Sequence, residues 1–298
     1  MAAPEGNERA PASVTAMNIE TTATILEKQQ LTDITTLFVV GAPLVARNAA
    51  PGQFVILRVS ETGERVPISL TDFDRRAGTI TLVVQAVGRT SALIGALEEG
   101  AEILDLAGPL GRPVELPSDG HVVLVGGGFG AGAIFPLARE LRSRSVKVSA
   151  IVGARTAALV ILRDLLEPVC DGYHVCTDDG SLGYHGFVTG RLEELLAAGA
   201  GYGRCFAVGP MPMMRAIAET AKRWNLPATV SLDPVMIDGT GMCGGCRVTV
   251  GGVTRFACVD GPFFDAQAID FDEAEARKTM YAEEERIACE LAEVEVAV

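Results

Sequence analysis

Between Ile19 and Leu116 apolar residues come in short runs broken by turn residues. Thr35-Thr-Leu-Phe-Val-Val, Gln53-Phe-Val-Ile-Leu-Arg-Val and Thr79-Ile-Thr-Leu-Val-Val-Gln-Ala-Val are rich in β-branched and aromatic side chains. Pro51-Gly, Arg76-Ala-Gly, Glu99-Gly and Gly108-Pro-Leu-Gly punctuate them. Strands at this spacing predict a small antiparallel β-barrel, interrupted by one helix over 91–97. From Gly120 the pattern changes. His121-Val-Val-Leu-Val is apolar throughout after its first residue, and Gly126-Gly-Gly-Phe-Gly130-Ala-Gly132 leads into an apolar–basic helix through Arg142. A second strand, Val146-Lys-Val-Ser-Ala-Ile-Val, ends at Gly153-Ala-Arg155, and further strands are expected at Tyr173-His-Val-Cys and Cys205-Phe-Ala-Val-Gly. Strands alternating with helices predict a parallel sheet covered on both faces. From Ala228 the chain turns glycine-rich, with a hairpin expected over 247–257 and a charged helix over 272–293. The division that follows is a disordered leader 1–16, a barrel 17–117, an α/β domain 118–227 and a C-terminal segment 228–298, without internal repeats.

Composition narrows the function classes. The 298 residues are enough for two or three domains, and 48% hydrophobic residues supply sizeable cores. No apolar run is long enough to span a membrane, and the leader lacks the apolar stretch of a signal peptide. A formal charge of −13 disfavours nucleic acid or an anionic membrane as partner. Seven cysteines, an odd number, fit a reducing compartment and hence the cytoplasm.

Candidate chemistry is densest in Asp238-Gly-Thr-Gly-Met-Cys243-Gly-Gly-Cys246, followed by Cys258 beyond the hairpin. A plant-type iron–sulfur loop reads C-x4-C-x2-C with a distant fourth cysteine, and Asp238 stands at the first of those positions. Glycines let backbone wrap an inorganic core and aim N–H groups at sulfur. The reading is a 2Fe–2S cluster held by Cys243, Cys246, Cys258 and the Asp238 carboxylate. Zinc on three cysteines and an aspartate, a redox dithiol and plain buried thiols are the alternatives. The dithiol fits poorly, because such pairs open a helix and this one runs into a hairpin. Cys170, Cys176, Cys205 and Cys289 are expected to be core thiols.

Two further loops have the residue types of nucleotide sites. Gly127, Gly128 and Gly130 stand between a strand and a helix, where glycine permits close approach of a pyrophosphate to helix N–H groups. A bare turn is the plain alternative, and no acid stands about twenty residues on to hold a ribose. Arg155 ends the next strand, within reach of adenosine or phosphate or simply solvated. In the barrel, Arg65 offers a fork for a diphosphate, Pro67 and Ile68 an apolar wall for a ring, and Ser69 a hydroxyl for a ring heteroatom. An edge strand with a charged turn reads the same way. Gly88, Thr90 and Ser91 open a helix that could receive an anion, with a simple N-cap as the alternative.

The order of barrel, glycine-rich α/β domain and C-terminal cysteine loop resembles the ferredoxin-reductase-like flavoproteins. Within them it is most similar to the small subunits of NADH-dependent ferredoxin:NADP oxidoreductase and of sulfide dehydrogenase. The resemblance rests on Pro51-Gly-Gln-Phe, Arg65-Val-Pro-Ile-Ser, Gly108-Pro-Leu-Gly, Val125-Gly-Gly-Gly, Gly153-Ala-Arg, Thr177-Asp-Asp-Gly-Ser and Val208-Gly-Pro-Met-Pro-Met-Met. Its most specific part is the Asp238–Cys246 loop with Phe256-Ala-Cys-Val-Asp-Gly-Pro and Phe264-Asp. It implies FAD at Arg65, Pro67, Ile68, Ser69, Gly88, Thr90 and Ser91, and NAD(H) or NADP(H) at Gly127, Gly128, Gly130 and Arg155. It also implies a larger flavin and iron–sulfur partner subunit. The related electron-transfer subunit of dihydroorotate dehydrogenase has four cluster cysteines, so Asp238 favours the ferredoxin:NADP branch. Gly132-Ala133 replaces that family's usual Ala-Pro.

Three functions compete on this basis. One is an electron-transfer subunit of a heteromeric NAD(P)H-linked oxidoreductase, including one that bifurcates electrons at flavin. Another is a stand-alone NAD(P)H:acceptor reductase, and the third a zinc-stabilised nucleotide-binding regulator. Hydride transfer needs no side-chain acid or base, so no catalytic residue is assigned.

Overall fold

The computed structural model describes residues 18–20 and 23–296. The expected leader, 1–16, and the Cys289 side chain lie outside the described residues.

The first domain contains β1 (Asn18–Glu20), β2 (Ala23–Thr32), β3 (Thr35–Gly41), α1 (Pro43–Asn48), β4 (Phe54–Arg58), β5 (Val66–Asp74), β6 (Thr79–Gln85), α2 (Arg89–Gly95), β7 (Glu102–Ile103) and β8 (Asp105–Leu110). The strands form one antiparallel sheet in the order β1-β8-β4-β5-β6-β3-β2-β7, which curls into a nearly closed barrel. Its interior is filled by Ile25, Phe38, Val55, Leu57, Leu70, Ile80 and Leu82. Alternation turns the other face of β4 outward: Phe54 and Ile56 join a different core, shared with the rest of the chain. On β5, Ser69 pairs with Phe54, Ile68 with Val55 and Pro67 with Ile56. Directly opposed residues share a face. Pro67 and Ser69 therefore point outward, and Ile68 packs against the barrel core.

The α/β domain follows as β9 (His121–Gly127), α3 (Gly130–Ser143), β10 (Lys147–Ala154), α4 (Arg163–Leu166), β11 (Gly172–Thr177), β12 (Tyr184–His185), α5 (Val188–Ala197), β13 (Arg204–Val208), α6 (Met211–Arg223) and β14 (Ala228–Ser231). The last stretch holds a hairpin of β15 (Arg247–Val250) and β16 (Val253–Phe256), then α7 (Ala257–Asp260), β17 (Phe263–Asp265), α8 (Phe271–Lys278) and α9 (Ala282–Val296). The second sheet runs β12-β11-β10-β9-β13-β14-β17 and is parallel except for β17. The chain moves from β9 to β10–β12 on one side and returns to β13 and β14 on the other. This reversal opens a crevice beyond the carboxyl ends of β9 and β13.

Helix α3 packs against both β9 and β5, joining the two large domains. A bulge in β5 between Leu70 and Asp72 lets neighbouring side chains reach it. A Cβ on Gly132 would lie 2.8 Å from Thr71 Oγ1, and Asp72 pairs with Arg139. Burial raises the Asp72 carboxyl above its ordinary value, against the pull of Arg139. No helix among the described residues is long and apolar enough to cross a membrane.

Candidate functional site

On the barrel, the turn before β5 and the start of α2 are tied together by one hydrogen bond. Thr90 Oγ1 donates to Glu64 Oε2 at 2.6 Å, which brings Arg65 beside the Gly88–Ser91 segment. Gly88 is the N-cap of α2 and is extended. Ser91 at the third helical position supplies the cap: its Oγ accepts from the N–H of Gly88 at 2.9 Å and of Val87 at 3.0 Å. The Thr90 and Ser91 hydroxyls, two of the three expected at this site, are thus engaged within the protein. Arg65 is exposed and forms no ion pair among the described residues, so its donors remain for an anion. Pro67 and Ser69 line the outer face of β5, while the opposite orientation of Ile68 leaves only its main chain on that side. The expected apolar wall of Pro67 and Ile68 is therefore not one surface, because adjacent strand residues point to opposite faces.

The glycine loop sits in the crevice of the second sheet. Gly130 is required by contact: a Cβ there would lie 2.1 Å from the Val208 carbonyl oxygen. Gly128 adopts φ +55°, faces open space, and donates its N–H to Gly153 O at 2.8 Å. That bond holds the end of β9 to the end of β10, where Arg155 lies exposed two residues on. A Cβ on Gly127 would meet Met213 Sδ at 2.5 Å. Met213, near the start of α6, thus covers the loop from the β13 side. Its run, Val208-Gly-Pro-Met-Pro-Met-Met, is visible in the sequence, but its position over Gly127 depends on the β9–β13 pairing.

In the cysteine loop, Cys246 and Cys258 are buried with their sulfurs 3.1 Å apart, and Cys243 is exposed. The contact favours one thiolate on the pair: Cys246 is drawn down to about 7, chiefly by hydrogen bonding to Cys258, and Cys258 is pushed up by the same contact and by burial. Backbone N–H groups already address sulfur, Gly245 toward Cys243 at 3.4 Å and Cys258 toward Cys246 at 3.5 Å. Asp238 Oδ1 accepts from Thr240 N at 2.9 Å and Oδ2 from Cys243 N at 2.8 Å. Partial burial opposes its charge, but these two N–H groups outweigh it and hold the carboxyl below its ordinary value. A carboxylate has lone pairs beyond those two bonds. Among the described residues no three His, Cys, Asp or Glu side chains converge to hold a single metal ion. Of the four expected ligands, Cys246 and Cys258 meet through their sulfurs, and Asp238 is tied to Cys243 through the Cys243 backbone N–H. One tetrahedral zinc needs all four donors about one point, whereas two irons take a pair each. The donor set, its N–H groups and its glycines at φ +74° (Gly239), +82° (Gly241) and +67° (Gly244) suit a two-iron cluster.

Burial pushes the Cys176 and Cys205 thiols up to about 12, as expected of core thiols. Cys170 is only half-buried, yet burial is also the main cause of its rise to about 12.

The cysteine loop rests on the barrel. A Cβ on Gly239 would strike Leu110 of β8 at 2.7 Å and Ile56 of β4 at 2.9 Å. Cys246 and Cys258 belong to the same buried core as Phe54, Ile56 and Leu110. The register partners of Phe54 and Ile56 are Ser69 and Pro67, one strand spacing away, about 4.8 Å.

The iron–sulfur cluster binding domain of dihydroorotate dehydrogenase B matches residues 233–270. The chain is 41% identical to the dihydroorotate dehydrogenase B (NAD(+)) electron transfer subunit homolog of Thermotoga maritima, over 89% of this chain and 94% of that one. It is 34% identical to the corresponding electron transfer subunit of Geobacillus kaustophilus, over 82% and 95%. A chain of the NADH-dependent reduced ferredoxin-NADP oxidoreductase structure, described for flavin-based electron bifurcation, superposes with a TM-score of 0.86 at 39% identity, covering 90% of this chain and 96% of that one.

Proposed function

This chain belongs to the family of dihydroorotate dehydrogenase B electron-transfer subunits and their homologues, and from that premise we propose that it relays electrons between a nicotinamide nucleotide, FAD and a 2Fe–2S cluster. It is an electron-transfer flavoprotein subunit with an iron–sulfur-binding domain. The observation that carries the fuller reading is the packing of the Cys246–Cys258 pair into the core that includes Phe54 and Ile56. This puts the cluster loop one strand from the outward face of Pro67 and Ser69. A bound flavin would supply the exchange between two-electron hydride chemistry and one-electron transfer.

The chain's own contribution is placement and charge. Arg65 holds the flavin diphosphate beside the start of α2, and Pro67 and Ser69 present the outward face of β5. Ile68 contributes main chain there, and Gly88, Thr90 and Ser91 shape the adjoining turn. Gly127, Gly128 and Gly130 let the nicotinamide diphosphate approach the start of α3, with Arg155 at its adenosine end. Cys243, Cys246, Cys258 and Asp238 would hold the cluster, with the Thr240 and Cys243 N–H groups orienting the carboxylate. Residues 17–117, 118–227 and 228–298 serve as flavin, nucleotide and cluster units. A larger flavin and iron–sulfur subunit takes or supplies the electrons, in a complex of the bifurcating type.

Anaerobically purified full-length protein tests this reading. Iron and sulfide are each expected at about two per chain, the content of this cluster type, with FAD at about one. NADH or NADPH should bleach the flavin and then the cluster absorption. One zinc per chain without iron, or flavin that neither nucleotide reduces, would overturn it.

A further inference from the structure

Helix α8 packs against β15 and α6, and three cations stand in this region. Arg215 of α6 pairs with Asp272 and Glu275, and Lys278 pairs with Asp233. Arg277 is different. It forms no ion pair among the described residues; its buried Nε lacks a hydrogen-bond acceptor there, as does Arg215 Nε, and the buried Glu273 Oε2 one turn earlier on α8 is likewise unpartnered and does not reach it. Its one side-chain hydrogen bond among the described residues leaves the helix: Nη2 donates to Gly245 O at 3.0 Å, in the Gly244–Gly245 link between Cys243 and Cys246. Gly245 is thereby held at both ends, since its N–H addresses Cys243 Sγ. A half-buried guanidinium without a counter-charge is unfavourable, and natural folds seldom retain one. The anion it lacks is what the proposed cluster would supply, because four anionic donors outweigh the positive charge of the iron–sulfide core.

Resting on the cluster reading above, we propose that Arg277 is the positioning and charge-balancing residue of the cluster loop. It fixes the Gly245 carbonyl, and its charge stabilises the reduced cluster more than the oxidised one. Reduction adds one electron, delivered from the flavin, and raises the negative charge facing the guanidinium. Hydrogen bonding and nearby charge are the levers by which a protein sets such a potential. A purely local role, with a last-turn arginine favouring its own helix dipole, would leave the cluster's potential unaffected.

The test uses full-length protein with iron and sulfide measured first, then dye-mediated redox titration followed by EPR of the reduced cluster. Arg277→Gln keeps a donor for Gly245 O and removes the charge. It should retain two irons yet be tenfold harder to reduce, about 59 mV more negative for a one-electron couple. Arg277→Lys keeps the charge without the fork and should stay within about threefold of the wild-type equilibrium, in line with charge as the main lever. Equal potentials in all three proteins, or an equal fall in both variants, would overturn the proposal while leaving the cluster intact. Should the glutamine variant lose its iron, lysine decides: retained iron and a near-native potential support the charge role, and loss of iron in both overturns it. Wild-type protein without iron and sulfide would overturn the cluster reading itself, and this inference with it.

Discussion

Gly130 gives the most exacting test of how the crevice of the second sheet is built. Its missing Cβ would sit 2.1 Å from Val208 O and 2.7 Å from Val208 C, where ordinary contact begins at 3.4 Å. Gly130→Ala therefore requires the start of α3 and the end of β13 to separate by about 1.3 Å, because a carbonyl inside a sheet cannot rotate away as a side chain can. The helix has little room to retreat, since two residues on Gly132 lies against Thr71 of the barrel. Overpacking of this kind belongs at the upper end of the usual range, about 3 kcal/mol. Over the 298 residues of this chain that corresponds to a fall of roughly 5 °C in Tm. Gly128→Ala is the matched control: its φ of +55° disfavours a side chain, but nothing lies within 4 Å. Its cost should be about 1–2 kcal/mol, that of one left-handed residue. Thermal unfolding followed by far-UV circular dichroism would measure both. A Gly130→Ala protein melting within 2 °C of wild type, on the order of 1 kcal/mol or less, would refute the argument. So would a larger loss for Gly128→Ala.

Arg65→Ala should lose FAD on desalting with its circular dichroism unchanged, because a diphosphate fork has no substitute at that turn; full flavin retention would count against the barrel site. Asp238→Cys should keep the cluster but move its EPR signal and midpoint potential, and Asp238→Ala should make it labile. An unchanged spectrum, potential and lifetime in the alanine variant would redirect the search to Asp260, whose carboxylate accepts from Phe256 N. Burial and then Lys147 depress the His121 pKa below its ordinary 6.5. As pH falls below 6.5, the unfolded chain therefore binds the proton first, and stability contributed by the neutral ring is lost. Urea unfolding between pH 7 and pH 5 should show a smaller decline in His121→Gln than in wild type, and an identical slope would exclude His121 as a source.

The parts of the fold legible in the sequence are those where one pattern dominates. The apolar β9, the glycines after it and the strand that runs to Ala154, just before Arg155, lie in the structure as their pattern predicts. The hairpin before Cys258 does so too, although Cys258 itself lies on the one-turn helix α7. Other features depend on partners remote in sequence. Ile68 turns into the barrel because its register partner is Val55, which the string Arg65-Val-Pro-Ile-Ser cannot reveal. The three-residue β17 is too short for a periodic signal and exists through its pairing with β14. The expected single helix over 272–293 breaks between Lys278 and Ala282 without glycine or proline to mark it. The cysteine spacing announces a cluster loop, but the sequence does not show Asp238 capping its own backbone or the loop resting on Ile56 and Leu110.

The antiparallel return of β17 onto β14 bears on how freely this protein could be taken apart. Leu232 N donates to Pro262 O at 3.0 Å, and three register pairs from Thr229 to Ser231 continue the ladder. A chain cut between β14 and β17 would bare the length of β14 as an unprotected sheet edge, the kind of surface that recruits another copy by strand addition. Removing the cysteine-bearing portion would thus not leave a simpler two-domain reductase ready for fusion to a new acceptor. It would leave a template for self-association, so any recombination of these redox units has to carry residues 263–265 along or cap the edge anew.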